Sequence, residues 1–364
     1  MSFVRTKTPR TFRSGAPGGI KAQDAAGVAS TVNLRKVRRV GGAAAGLLLA
    51  LLTFLVVGIA STSLPALAQE RLRVVATSRP IHSIAAAVLG DKGPPELLIT
   101  GMASPHTYAL TPSNARQLHQ ADVFIRVSEQ VEPFTQRIAR ALPGSVEVVT
   151  LADTPGLKRL PVRISADFDG HPHFDGDDHD HEPEAGAVDG HVWLDPENAK
   201  LMGRRLAEVF AARWPNDGQA FAANADRFAA DVDAASGEIA AELAPVTGVP
   251  FVVFHDAYHY FEERFGLKAA GAISINPEVP PGARHLSALR QRIEKLGGVC
   301  VFAEPQFNAR VLDAVVAGTG ARSGVLDPIG VDLEPGPGLY TAMLKGLAGG
   351  FTACLAQEPK RAGR

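Results

Sequence analysis

From Leu72 onward, short contiguous apolar runs alternate with segments in which apolar residues recur every three or four positions. Leu72–Thr77 (LRVVAT), Glu96–Thr100, Asp122–Val127 and Val146–Leu151 read as strands. Ile81–Leu89 and Ser113–Gln120 read as helices between them, the second opened by Pro112 and Ser113. This βαβ alternation predicts a parallel sheet flanked by helices. The same alternation returns late in the chain. Phe251–Phe254 (FVVF), Ala270–Ser274, Val299–Ala303 (VCVFA) and Gly324–Leu326 are the expected strands, with Tyr258–Phe265, Leu286–Lys295 and Tyr340–Ala356 as helices.

Between the two blocks lies the most regular element. Phe221, Ala225, Phe228, Val232, Ala235, Ile239 and Leu243 line one face of a helix over residues 216–243, bounded by Pro215 and Pro245. At 1.5 Å per residue it is about 42 Å long, enough to act as a stiff strut. The expected fold is α/β: two Rossmann-like lobes with parallel sheets, joined by one long rigid helix. The expected boundaries are 69–214 for the first lobe, 215–245 for the linking helix and 246–364 for the second lobe. Ligands of such folds sit at the carboxyl ends of the strands, here in the cleft between lobes.

Two segments depart from the alternation. Residues 164–190 are rich in Asp, Gly, His and Pro, contain no Lys or Arg, and show no apolar periodicity, which predicts a long mobile loop. At the other departure, Arg35-Lys36-Val37-Arg38-Arg39 precedes an apolar run from Ala43 to Ala60 and then Ala66-Leu67-Ala68, the pattern of a secretory signal peptide cleaved after Ala68. A retained membrane anchor is the alternative, since a run of about 18 apolar residues is borderline for a span. Residues 1–31 read as unstructured, with the natural start near Val32. No Cys follows the cleavage site, so a free periplasmic protein is expected.

Charge sharpens this picture. The net charge of −1 conceals nine Lys/Arg and a single acid, Asp24, within residues 1–68. The remainder carries 28 basic and 37 acidic residues, a net of −9, which excludes a nucleic-acid partner. There are two cysteines, Cys300 and Cys354. In an oxidising compartment one disulfide is the default, against two buried thiols. Its loop of about 55 residues would add roughly 4 kcal/mol on the chain-entropy model.

Three histidines stand where a cleft ligand would be held. His106 follows the strand Glu96–Thr100, His191 comes where order returns after the loop, and His255 directly follows FVVF. Converging neutral imidazoles suit zinc, a borderline-soft ion with tetrahedral preference. A lone His beside a strand is otherwise a hydrogen-bonded core or cap residue, and no metalloprotease helix motif ties these three together. The loop adds His171, His173, His179 and His181 among nine acids between Asp167 and Asp189, the composition of a low-affinity metal collector or of a solvated acidic linker.

Residues 72–356 resemble the zinc-specific solute-binding proteins of bacterial ABC transporters, the ZnuA type. The resemblance is carried by GMASPHTYALTPSNARQL, HVWLDPENA, FVVFHDAYHYFEERFGL, SINPEVPPGARHL, CVFAEPQF and LDPIG in order, with a His/Asp-rich loop before the second histidine. It implies that His106, His191 and His255 are the high-affinity zinc ligands, that Cys300 pairs with Cys354, and that two lobes are bridged by a rigid helix. One departure matters: some zinc members carry Glu directly before the first ligand histidine, where this chain has Pro105. Manganese members use an Asp matching Asp327, so the fourth ligand is Asp327 or water. Alternatively, Asp327 caps the turn with Pro328 and Gly330. Glu304 is either a partner behind a ligand or a residue satisfying backbone groups.

The resulting expectation is a binding protein rather than an enzyme, a monomer that captures zinc in the periplasm. It would hand the metal to the inner-membrane permease of an ABC importer, with a periplasmic zinc chaperone as a further candidate partner. Manganese or ferrous iron in the same site is the alternative, although those ions favour more oxygen ligands. A zinc hydrolase would need a general base beside an open metal position, for which only Asp256 and Glu304 can be nominated.

Overall fold

The computed structural model describes residues 72–163, 187–274, 277, 281–307 and 309–357. The expected signal segment and His171, His173, His179 and His181 lie outside these residues. The first lobe holds β1 (Val74–Ala76), α1 (Arg79–Leu89), β2 (Glu96–Leu97), α2 (Pro112–His119), β3 (Val123–Arg126), α3 (Thr135–Ala141) and β4 (Glu147–Thr150). Two long helices follow, α4 (Pro196–Arg213) and α5 (Gly218–Leu243). The second lobe holds β5 (Phe251–His255), α6 (His259–Phe265), β6 (Ala269–Ser274), α7 (Ala283–Leu296), β7 (Cys300–Ala303), α8 (Ala309–Val316), β8 (Arg322–Val325) and α9 (Leu339–Leu355).

Each lobe is a parallel four-stranded sheet, and the two repeat one strand order: β2-β1-β3-β4 and β6-β5-β7-β8. The inner strands β1, β3 and β5 are buried along their whole length, as parallel strands covered on both faces must be. In each sheet, strand carboxyl ends lie side by side.

The helix boundaries have local causes. Pro sits in the first turn of α1 beside an extended Ser78, and the helix stops at Gly90 with φ +60°. A Cβ at Gly90 would stand 2.4 Å from Nδ2 of Asn224, so both the backbone angle and the contact with α5 require glycine. Thr111 and Asn114 form a reciprocal capping box on α2. Asp195 caps α4 by accepting from Glu197 N, with Pro196 at the first position.

Two helices depart from the sequence expectation. The 18 residues of α4 form a helix absent from the sequence expectation, with Met202, Leu206, Val209 and Phe210 at helical spacing on a buried face that also includes Asn198, Ala199, Gly203 and Ala207. A Cβ on Gly203 would reach Phe228 Cδ1 at 3.0 Å, so small residues here let α4 lie close against α5. Nor does α5 join the lobes alone. The C-terminal segment and α9 run back along it, with Tyr340 packing on Phe228 at 5.6 Å between ring centroids. Tyr340 N donates to Ser83 Oγ at 2.9 Å, and Arg79 donates to Leu333 O at 2.8 Å. One apolar core therefore runs from the first lobe through α5 and α9 into the second. Cys300 on β7 is bonded to Cys354 on α9, which pins that returning helix to the second sheet.

Candidate metal centre

Each of the three histidines is delivered by a different local device. His106 lies in the loop after β2. Its backbone N–H donates to Ser104 Oγ at 3.3 Å, and two residues on Tyr108 donates to Asn114 Oδ1 at 2.8 Å, so the loop is tied on both sides of the ring. His191 caps a short 3₁₀ turn over Val192–Leu194. Its backbone N–H donates to Asp189 Oδ1 at 2.9 Å, and its ring Nδ1 contacts the same oxygen at 2.7 Å. His255 is the last residue of β5, and its Nδ1 contacts Oε1 of Glu304 at 2.6 Å. Glu304 directly follows β7, which pairs with β5, so adjacent strands deliver ring and carboxylate to one edge.

The rings converge from both lobes. Nε2 of His191 stands 3.2 Å from Nε2 of His106 and 3.3 Å from Nε2 of His255. One ring nitrogen from each histidine lies within 4.8 Å of the others. A carboxylate can only accept, so His191 and His255 each donate from Nδ1, and a ring protonated there alone aims its Nε2 lone pair at one common point. Lone pairs facing at this range repel unless a cation lies between them. The edge of a tetrahedron with Zn–N bonds of 2.0–2.1 Å is about 3.4 Å, close to the observed separations. His191 and His255 are buried, while His106 is half-buried. Burial first, and the neighbouring His191 and His255 second, hold the His106 ring well below the ordinary value of 6.5. Trp193 packs 5.3 Å from His191 and Phe307 lies edge-on 5.4 Å from His255, which walls the nitrogens with apolar surface.

Asp327 is not brought into this group. Its Oδ1 accepts from Ile329 N at 3.1 Å, Gly330 N at 3.0 Å and Gln306 Nε2 at 2.9 Å, and its Oδ2 accepts from Val331 N at 2.6 Å. Asp327, weighed above as fourth ligand or turn cap, accepts from the backbone donors of the turn that follows it, and the convergent ligand atoms among the described residues are those of His106, His191 and His255. Glu304 stands behind His255. Asp256 is committed elsewhere, with Arg163 Nη1 at 2.9 Å. Burial pushes its carboxyl up to about 7 against the pull of that guanidinium. Two partners escaped the sequence reading. Asp189 has a signal, an acid two residues before a nominated histidine, set within a run of other acids that obscures it. Arg163 has none.

A family model described as "Zinc-uptake complex component A periplasmic" (ZnuA) matches residues 74–354. The high-affinity zinc uptake system protein ZnuA of Brucella suis is 38% identical over 313 residues, covering 80% of this chain and 94% of that protein. Its namesake in Paracoccus denitrificans is 34% identical over 325 residues, covering 84% and 98%. Among solved structures, a crystal structure of ZnuA superposes with a TM-score of 0.64 at 22% identity, covering 78% of this chain and 99% of the other. Pseudomonas aeruginosa FpvC, solved with Mn2+, superposes with a TM-score of 0.66 at 19% identity, covering 79% and 99%. At those identities the structural likeness speaks for the fold.

Proposed function

The chain belongs to the ZnuA family of periplasmic zinc-uptake components, and from that premise we propose that it captures zinc in the periplasm and delivers it to the permease of an ABC importer. His106, His191 and His255 are the ligands in this reading, and water fills the fourth position. The observation that carries it is the pair of buried rings, each with Nδ1 held by a carboxylate, whose Nε2 atoms face one another at 3.3 Å. The carboxylates fix the tautomer and raise the basicity of the ring, as outer partners of zinc-bound histidines do. Delivery requires no bond-making on a substrate: the cargo binds neutral imidazoles, and release follows when the geometry loosens.

Three ring nitrogens as the protein donors favour zinc over manganese or ferrous iron, which prefer oxygen. Hydrolysis finds no support in the two acids nominated for it, since Asp256 is ion-paired to Arg163 and Glu304 is hydrogen-bonded to the back of His255. The test is calorimetric titration of metal-stripped protein with zinc, manganese and ferrous iron in competition. One tight zinc equivalent, lost in His191→Ala, is the expected result. Tighter manganese than zinc binding, or a tight site indifferent to His191, sinks the reading.

A further inference from the structure

The described chain breaks off at Arg163 and resumes at Ala187, and the two ends are clasped together. Val162 N donates to Ala187 O at 3.0 Å, and Asp189 N donates to Leu160 O at 2.9 Å. Pro161 and Val188 form an antiparallel bridge between them. This neck is first-lobe chain, yet it is bound to α6 of the second lobe. The Tyr260 hydroxyl lies between its two strands, accepting from Leu160 N at 3.0 Å and donating to Asp189 O at 2.9 Å. Arg163 reaches the same helix with a two-pronged grip on Glu262, at 3.2 and 2.8 Å, and donates from Nη1 to Asp256 Oδ1 at 2.9 Å. These side chains are 17% exposed for Arg163, 6% for Asp256 and 3% for Glu262.

We propose that Arg163 and Tyr260 make this neck an inter-lobe clamp that sets the spacing of His191 and His255; the proposal rests on the zinc-site reading above. Both are positioning residues, since neither touches the ligating nitrogens. The route to His191 is short. Asp189, whose carbonyl Tyr260 holds, grips both the backbone N–H and ring Nδ1 of His191. The route to His255 is covalent, because Asp256 is the next residue. Were the neck bonded only to its own lobe, His191 would ride with that lobe. The clamp references it instead to the lobe that carries His255. Removing the guanidinium would leave Asp256 and Glu262 buried together without a counter-charge, and the backbone after His255 would have to shift.

The test compares Arg163→Met, Arg163→Lys, Tyr260→Phe and wild type by zinc affinity and by the visible absorption of the cobalt(II)-loaded protein, which reports ligand geometry. Val146→Ala, in a separate apolar cluster of the first lobe and just before β4, controls for general loosening. Arg163→Met is expected to weaken zinc about tenfold, the lower end for an outer partner of a metal ligand, and to alter the cobalt spectrum. Arg163→Lys recovers part of the loss, because an ammonium restores charge but not the two-pronged contact. Tyr260→Phe costs about fivefold, the scale of one lost neutral hydrogen bond, and it carries the test should Arg163→Met fail to fold. Val146→Ala leaves affinity and spectrum unchanged. Wild-type affinity and spectrum in both Arg163→Met and Tyr260→Phe, with His191→Ala still losing zinc, overturns the clamp and spares the site. Equal losses in Val146→Ala also overturn it. Zinc affinity undiminished in His191→Ala would instead remove the site reading itself.

Discussion

His255 and His106 face each other with ring centroids 5.5 Å apart, but the chain holds them by opposite means. His255 ends a fully buried central strand, and the next strand supplies the carboxylate behind its ring. His106 sits half-buried in a loop, secured through its backbone and its neighbours, and among the described residues no carboxylate contacts its ring. His191 sides with His255, since Asp189 holds both its main chain and its ring. In the zinc-capture reading proposed above, two of the ligands are preorganised parts of the scaffold, and the third is a half-buried latch. Such an arrangement suits a carrier, which must bind tightly and also let go. A ligand that must be ordered at the moment of binding contributes less than one already in place.

The sharpest way to break this comparison is to remove the ligands singly. Four-ligand zinc sites are worth roughly 10–16 kcal/mol, or about 3 kcal/mol per ligand, so His255→Ala and His191→Ala should each weaken zinc at least ~100-fold. His106→Ala should cost about tenfold less than either, because part of its contribution is spent on ordering the loop. Competition with a chromogenic chelator measures all three. Equal losses would erase the distinction between scaffold and latch.

A smaller effect is expected one step behind the rings. Glu304→Gln and Asp189→Asn keep an acceptor but remove its charge, and each should weaken zinc about tenfold. Ser104→Ala, which only frees the backbone N–H of His106, should stay within about fivefold, since such a bond contributes ~1 kcal/mol or less. Isotherms in which Ser104→Ala matches Glu304→Gln would show the loop to be as preorganised as the strand.

Acidity distinguishes the latch by another route. The folded-state value of His106 lies well below 6.5, so its contribution to stability is complete above about pH 6.5 and is lost as pH falls toward the folded value. Metal-free wild type should therefore lose more Tm between pH 8 and pH 5 than His106→Gln does. Zinc affinity should decline below about pH 6.5 as protons compete for imidazole. Parallel melting curves for the two proteins would mean that His106 is not desolvated as described.

Least affected should be variants outside the triad. Asp327→Ala is expected to change zinc affinity less than twofold, yet to lower stability by about 1–3 kcal/mol, because backbone donors of the following turn lose their acceptor. A loss of affinity at unchanged stability would return Asp327 to the ligand set. Deleting residues 164–186 and closing the gap with two glycines should leave the tight zinc equivalent intact, since Val162 and Ala187 already lie in hydrogen-bond contact. An isotherm without that equivalent would make the deleted segment a primary donor.

Much of this architecture is written locally. Apolar runs marked both sheets, and a three-four repeat marked α5 to within two residues of its observed start, because packing against a core forces such periodicity. α4 is less plainly marked, because Met202, Leu206, Val209 and Phe210 share its buried face with Asn198, Ala199, Gly203 and Ala207, small or polar residues that let it lie close to Phe228 and dilute the apolar signal. Asp327 shows the limit at the site, where the same residue type serves a metal or a turn, and its bonds to the backbone of Ile329, Gly330 and Val331 are visible only in the folded turn.

By itself the chain determined the residue types that can meet an ion and the strand ends and loops that present them, since those depend on neighbours a few positions away. Tertiary structure alone decided what stands behind them. Glu304 lies 49 residues from His255, and Arg163 lies 93 from Asp256 and 99 from Glu262. No periodicity links residues so far apart. Each contact exists because two parallel sheets of matching strand order, packed through α5 and α9, bring their carboxyl edges to one place, where burial makes every acid find a donor.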